Sequence, residues 1–118
     1  MTTVLIVDDD REMGRLLRTL FELEGHQVVV VPAYEDVINS LREVKPDVVV
    51  MDVRLHGEET IDLVPQIRQD AQLAAMPLVM TSGMDRRREC IDAGADHFVL
   101  KPFLPDDLVR MVGELLKD

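Results

Sequence analysis

Five short apolar runs that show no alternation of polar and apolar residues constrain the fold of this chain most strongly. They cover residues 3–7, 27–31, 47–51, 77–81 and 96–100. Strands of this kind are usually buried on both faces, as in a parallel sheet with helices on either side. Segments of helical period separate the runs. We therefore predict an α/β fold of the doubly wound (βα)5 type, a three-layer sandwich.

The segments between the runs predict five helices. The first covers residues 11–24, with Asp10 as its N-cap and Gly25 as its stop. Its predicted buried stripe comprises Met13, Leu16, Leu17, Leu20 and Leu23. The next three cover residues 34–44, 60–69 and 84–93, and Pro65 is expected to kink the third helix. Pro105 fits the first turn of the last.

Length, hydropathy and charge narrow the class of protein. The 118 residues suffice for one domain, and 47% hydrophobic content suffices for a packed core. The chain has no apolar stretch of membrane-spanning length and no signal peptide pattern, so no membrane association is expected. Cys90 is the only cysteine, which fits a reducing, cytoplasmic compartment. A net charge of −10 disfavours direct nucleic-acid binding.

Chemically reactive residues follow four of the predicted strands. The first run is followed by Asp8, Asp9 and Asp10, the third by Asp52, the fourth ends at Thr81 and Ser82, and Lys101 follows the fifth. The carboxyl ends of parallel strands meet at one edge of the sheet, where ligands bind. Carboxylates, a hydroxyl and a fixed cation at one edge are the groups needed to hold a phosphoryl group.

These motifs resemble the receiver domain of two-component response regulators. The matching segments are Ile6-Val7-Asp8-Asp9-Asp10, Met51-Asp52-Val53-Arg54-Leu55, Ser82-Gly83, and Gly94-Ala95-Asp96 leading to Leu100-Lys101-Pro102-Phe103. The resemblance implies a flavodoxin-like sheet of order 2-1-3-4-5 and a single receiver domain over residues 1–118. It also implies a regulatory switch that catalyses only its own phosphorylation and dephosphorylation. A sensor histidine kinase or a phosphotransfer protein would be the phosphoryl donor.

The resemblance assigns a role to each residue of the edge. Asp52 corresponds to the phospho-acceptor. Asp8, Asp9, Asp52 and the backbone carbonyl of Arg54 would hold Mg²⁺, with Mn²⁺ as a substitute. Lys101 would contact the phosphoryl oxygens, and the Lys101–Pro102 bond is expected to be cis. Asp10 is expected to cap a helix outside the metal site.

Two further residues of the resemblance concern the response to phosphorylation. Ser82 matches the family's hydroxyl position better than Thr81, which alternation would direct to the opposite face of the sheet. Phe98 lies three residues before Lys101, at the position of the family's switch aromatic. This ring could be a core residue as well as part of a two-state element.

The sequence also departs from the family pattern. The interval from Ser82 to Lys101 is roughly one helical turn, about three residues, shorter than usual, so the fourth helix or its preceding loop is expected to be short. The basic run Arg86-Arg87-Arg88 lies there. It predicts either a solvated helix face or a docking patch for an acidic partner. His56 is expected to be a solvent-exposed loop residue.

Two other functions are consistent with parts of the pattern. A phosphatase of the haloacid-dehalogenase type also uses an aspartyl phosphate, and Asp8 and Asp10 satisfy its Asp-x-Asp spacing. That class needs a threonine or a similar residue where this chain has Glu12, and it leaves Asp52 unexplained. A degenerate receiver that acts only as a docking module is the other alternative. The complete set of Asp8, Asp9, Asp52, Ser82 and Lys101 argues against it.

Overall fold

A computed structural model describes residues 2–117 of the chain. Five strands form one parallel sheet in the order β2-β1-β3-β4-β5. The strands are β1 (Thr3–Val7), β2 (Gln27–Val31), β3 (Val48–Asp52), β4 (Leu78–Ser82) and β5 (His97–Leu100). The predicted doubly wound architecture and the 2-1-3-4-5 order are confirmed. Strands β3 and β4 each end one residue later than predicted, so Asp52 and Ser82 are the last residues of their strands.

Helices cover both faces of the sheet. They are α1 (Arg11–Leu23), α2 (Val37–Val44), α3 (Leu63–Gln69), α4 (Arg87–Ala93) and α5 (Pro105–Leu115). A 3-10 turn at Tyr34–Asp36 precedes α2, where the sequence predicted one continuous helix. No helix in the described part of the chain has the length and apolar character needed to cross a membrane.

Side chains of the strands alternate between two apolar layers. In β1, Leu5 and Val7 face the layer covered by α2, α3 and α4, whereas Val4 and Ile6 face α1 and α5. All four are at most 1% exposed. Burial on both faces explains why the strands are apolar throughout rather than alternating.

The buried stripe of α1 differs from the predicted one. Leu16 and Leu23 are 44% and 75% exposed, whereas Gly14, Leu17 and Phe21 are buried. The helix therefore uses Gly14 for a close approach to β2, where an added Cβ would lie 3.4 Å from a methyl carbon of Val30. A count of apolar residues cannot detect a helix face that depends on a missing side chain.

Helix α3 begins at Leu63, three residues later than predicted. Pro65 is consequently its third residue, where a backbone N–H would have no partner within the helix. The expected kink is therefore unnecessary, because the proline lies in the first turn. Thr60, the predicted first residue, lies before the helix and is fully buried.

Arg68 of α3 binds three backbone carbonyls that secondary structure does not satisfy. Its guanidinium donates to the oxygens of Gly94 (2.8 Å), Ala74 (3.1 Å) and Met76 (2.7 Å), and to Asp96 Oδ2 (3.0 Å). Gly94 has φ of 125°, and a Cβ there would lie 2.9 Å from Arg68 Cγ. The Gly94-Ala95-Asp96 motif is therefore structural: it completes this contact before β5 begins.

Candidate functional site

Three carboxylates meet at the carboxyl end of the sheet. Asp8 and Asp9 follow β1, and Asp52 ends β3, the neighbouring strand. One oxygen from each lies within 4.8 Å of the other two. We call Asp8, Asp9, Asp52, Ser82 and Lys101 together the carboxyl edge.

Backbone N–H groups orient each of these carboxylates. Asp8 Oδ1 accepts from the N–H of Asp10 at 2.9 Å, and Asp9 Oδ2 accepts from His56 at 2.6 Å. Asp52 Oδ1 accepts from the N–H of Arg54 at 3.3 Å. The side chain of Asp10 instead accepts from the first turn of α1, as predicted for its N-cap.

Lys101 brings a positive charge to the carboxylates from β5. Its Nζ lies 2.8 Å from Asp52 Oδ2 and 3.7 Å from Asp8 Oδ2. The Lys101–Pro102 peptide bond is cis, as expected. The ammonium therefore contacts the predicted acceptor directly.

Burial and neighbouring charge act against each other at Asp8 and at Lys101, and the net pKa of both groups is raised. Burial raises the pKa of Asp8 above its ordinary value, although the Asp10 N–H and the Lys101 charge act against this rise. Burial lowers the pKa of Lys101, but the hydrogen bond to Asp52 and the charge of Asp8 outweigh it, so the net pKa is raised. Lys101 consequently stays charged at neutral pH.

A hairpin after Asp52 supports the acceptor. Arg54–Leu55 pairs antiparallel with Glu58–Glu59 around a turn at His56 and Gly57, both of which have positive φ, as in a type I′ turn. His56 is an exposed loop residue, as expected. The turn directs the His56 N–H at Asp9.

Thr60 closes this hairpin onto the strand that carries Asp52. Its buried hydroxyl donates to the carbonyl oxygen of Asp52 at 2.7 Å, and its N–H donates to the carbonyl of Val53 at 2.7 Å. Sequence reasoning missed Thr60, which was predicted to begin a helix. A buried threonine eight residues after the acceptor carries no signal of its own in a single sequence.

Ser82 lies at the same edge, one position beyond the register partner of Asp52. Asp52 pairs with Thr81, and Ser82 pairs with Leu100. The Ser82 carbonyl accepts from the N–H of Lys101 at 2.8 Å, and its hydroxyl accepts from Met84 N–H at 3.1 Å. The backbone therefore joins Ser82 to Lys101, and the hydroxyl's contact with a phosphoryl group stays a prediction.

Phe98 is 4% exposed and belongs to the core layer under α2, α3 and α4. The guanidinium carbon of Arg87 lies 5.5 Å from its ring centroid, within the range of a cation–π contact. Helix α4 starts at Arg87 and has seven residues, which confirms the expected short fourth helix.

The basic run does not form a single surface. Arg88 is 95% exposed, Arg87 lies over Phe98, and the side chain of Arg86 is only 16% exposed. For Arg86, the predictions of a solvated helix face and of a docking patch are therefore both wrong. Its guanidinium binds Glu59 of the hairpin and Glu89 of α4.

The bonds of Arg86 are short and paired. Its Nη1 and Nη2 lie 2.6 and 3.1 Å from the two carboxylate oxygens of Glu59. Its Nε and Nη2 lie 2.9 and 2.7 Å from those of Glu89. Glu59 also lies 3.5 Å from Arg54, and we call these four residues the arginine–glutamate network. The hydrogen bonds to Arg86 lower the pKa of both glutamates.

The chain matches a known family over nearly its whole length. The model of the response regulator receiver domain matches residues 4–113. The fold and the acid cluster agree with this match. The chain therefore belongs to the receiver domain family of two-component signal transduction, a family of regulatory signalling proteins.

Relatives of established name support the assignment. The DNA-binding response regulator MtrA of Mycolicibacterium smegmatis is 31% identical over 97% of this chain and 50% of its own length. The transcriptional regulatory protein GltR of Pseudomonas aeruginosa is 35% identical over 98% of this chain and 49% of its own. The chain thus spans about half the length of these curated relatives.

Solved structures give the same result. A putative response regulator from Chloroflexus aurantiacus superposes with a TM-score of 0.88 at 30% identity, covering 98% of this chain and 97% of its own. The chemotaxis response regulator CheY4 of Vibrio cholerae superposes with a TM-score of 0.89 at 21% identity and 98% coverage of both chains, which supports the fold alone.

Proposed function

We propose that this protein is a phosphorylation-dependent switch that accepts a phosphoryl group on Asp52. The proposal rests on the surroundings of the Asp52 carboxylate. Lys101 Nζ lies 2.8 Å from Asp52 Oδ2, and one oxygen each of Asp8 and Asp9 lies within 4.8 Å of an Asp52 oxygen. In a purely structural ion pair, two further acids beside the pair would add only charge repulsion.

The donor set fits Mg²⁺ or Mn²⁺. Asp8, Asp9 and Asp52 offer hard oxygen ligands, and the backbone carbonyl of Arg54 would add a fourth. Asp9 and Asp52 are 29% and 13% exposed at their side chains, which leaves room for water and a phosphoryl oxygen. When bound, the cation would neutralise negative charge on the incoming phosphoryl group.

The remaining chemistry belongs to side chains of the carboxyl edge. An oxygen of Asp52 would bond to phosphorus as the phosphorus–nitrogen bond of a phosphohistidine breaks. Lys101, already beside Asp52, would stay in contact with the phosphoryl oxygens as a point charge. The Ser82 hydroxyl, which accepts from the Met84 N–H, would donate its own hydrogen to a phosphoryl oxygen. Phe98 would respond to that movement as a switch residue.

The donor in this proposal is a sensor histidine kinase or a phosphotransfer protein in the cytoplasm. The protein would turn over no external metabolite, and residues 1–118 would act as one receiver domain. Direct nucleic-acid binding is not proposed, because the net charge of −10 would repel phosphate backbones. The DNA binding named for MtrA belongs to a protein twice as long.

Intact-mass measurement after incubation with phosphoramidate tests the proposal. We expect one phosphoryl group per chain when Mg²⁺ is present, and none without a divalent cation. Asp52→Asn should abolish incorporation, whereas Asp62→Asn, which changes an exposed aspartate before α3, should not. Equal incorporation by Asp52→Asn and the wild type would contradict the assignment.

A further inference from the structure

The arginine–glutamate network joins the segment after Asp52 to the start of α4. We propose that Arg86 is a positioning residue of the switch, and that its pair with Glu59 transmits the phosphorylation state of Asp52 to α4. The inference rests on the proposed function and adds a route that does not pass through the Ser82 hydroxyl.

The hairpin end of this route is tied firmly to the acceptor. Glu59 precedes Thr60, whose hydroxyl holds the Asp52 carbonyl at 2.7 Å. Glu59 also pairs in register with Arg54, whose N–H donates to the Asp52 carboxylate. A charge change at Asp52 that shifts either contact therefore shifts Glu59 as well.

The helical end is adjacent to the predicted switch ring. Arg86 is the residue before α4, and Arg87, its first residue, lies over the Phe98 ring at 5.5 Å. A helix of seven residues has little stability of its own, so tertiary contacts determine where it lies. Moving Arg86 therefore moves the group that covers Phe98.

The two carboxylates that bind Arg86 differ in one decisive respect. Glu89 belongs to α4 and moves with Arg86, since the two are three residues apart. Glu59 belongs to the hairpin, so of these two carboxylates it is the one whose bonds cross between the two segments. The side chain of Arg86 is only 16% exposed. Bidentate hydrogen bonds between a carboxylate and such a guanidinium are among the stronger ion pairs near a protein surface. Only loss of the Glu59 arm should uncouple the segments.

Glu59→Gln and Glu89→Gln form a matched pair that tests this inference. Each removes one negative charge and replaces a two-oxygen carboxylate partner of the same guanidinium by a carboxamide with one acceptor oxygen. Backbone amide shifts would be recorded before and after adding Mg²⁺ and beryllofluoride, a phosphoryl mimic. In Glu59→Gln, we expect shift changes in residues 87–93 and at Phe98 to fall below half of those in the wild type. In Glu89→Gln and the wild type, they should be similar.

Arg86→Met gives a second route to the same result, because it keeps the aliphatic stem and loses both arms. Arg86→Met should reduce the α4 shift changes as much as Glu59→Gln does. The double variant Glu59→Gln/Arg86→Met should reduce them no further than either single variant. Arg88→Met, with a 95% exposed side chain, should match the wild type. Full wild-type shifts in Glu59→Gln and Arg86→Met, or equal losses in Glu59→Gln and Glu89→Gln, would overturn the inference.

Failure of the inference and failure of the proposed function give different results. If the wild type binds the mimic but α4 shows no shift, the route is wrong while Asp52 phosphorylation stands. If neither phosphoramidate nor the mimic modifies the wild type at Asp52, the proposed function itself fails, and the inference fails with it.

Discussion

The carboxyl edge and the arginine–glutamate network both concentrate charge near Asp52, but they are built differently. The edge is carried by strand ends, and its acids are fixed by backbone N–H groups and the sheet register. The network is carried by a hairpin and the start of a seven-residue helix, and its members are held together by side-chain ion pairs. The first arrangement is suited to precise chemistry, and the second is suited to passing a movement from one segment to another.

This difference predicts where substitutions should have their effects. Changes at the carboxyl edge should alter phosphorylation itself, since they remove groups held next to the acceptor. Changes in the network should leave phosphorylation intact and alter its transmission. The glutamate and arginine variants above test the network, and the following substitutions test the carboxyl edge and its immediate support, beginning with the largest expected effect.

Lys101→Met should cause the largest change. Removing a fixed charge that stabilises the transferred group should slow phosphorylation by phosphoramidate on the order of 100-fold. Mg²⁺ affinity should stay the same or rise, because the ammonium lies 2.8 Å from Asp52 and competes with the cation. Rates followed by intact mass, with Lys45→Met as the exposed control, test this. A rate within a few-fold of the wild type would remove Lys101 from the chemistry.

Thr60→Val should cause the next largest effect, on stability. The variant keeps the shape but leaves the half-buried Asp52 carbonyl without the 2.7 Å hydroxyl bond, at a cost of about 1–3 kcal/mol. Thr60→Ser retains the hydroxyl and should lose less. Urea unfolding of both variants measures the free energies. Equal stability of the valine and serine variants would show that the hydrogen bond does not hold the acceptor in place.

Asp9→Asn and Asp10→Asn should separate the metal site from the helix cap beside it. Asp9→Asn should weaken Mg²⁺ binding about tenfold or more, an effect of about 1.4 kcal/mol. Asp10 accepts from Glu12 and Met13 in α1, so Asp10→Asn should bind Mg²⁺ like the wild type. Metal titrations monitored by NMR would measure both. Equal losses of Mg²⁺ affinity in the two variants would mean that Asp10 also belongs to the metal site.

Asp8→Asn should have the smallest effect, a modest gain in stability without metal. Because burial raises the pKa of Asp8, the folded protein binds this proton more tightly than the unfolded chain does. The ionised carboxylate therefore destabilises the metal-free fold at neutral pH. Thermal unfolding of both proteins in chelator should show a higher Tm for the variant at pH 7. The gap should close as the pH falls towards 3.8, the ordinary value for an aspartate, and a gap that persists there would have another cause.

The difference between groups carried by strands and groups joined by side-chain ion pairs also explains which features the sequence could predict. Residues on strands were placed within one or two positions, because apolar runs and register determine where a strand ends. Asp52 and Lys101 therefore meet as predicted. The roles of Thr60, Glu59 and Arg86 were not predicted, because hydrogen bonds between side chains far apart in the sequence leave no periodic pattern in it. The start of α3 was misplaced for the same reason, since Thr60 binds the acceptor instead of beginning the helix.

Arg68 has a consequence for how this chain can vary. Because one guanidinium binds the carbonyls of Ala74, Met76 and Gly94, the segment before β4 needs no polar side chains of its own. The side chains of Ala74 and Ala75 are exposed and satisfy no backbone group, so the segment between α3 and β4 should tolerate many residue types at these positions. That freedom depends on a single position: a lysine at 68 has no planar array of donors with which to reach all three carbonyls. The tolerance of this loop to substitution should thus depend on keeping an arginine at one position of the neighbouring helix.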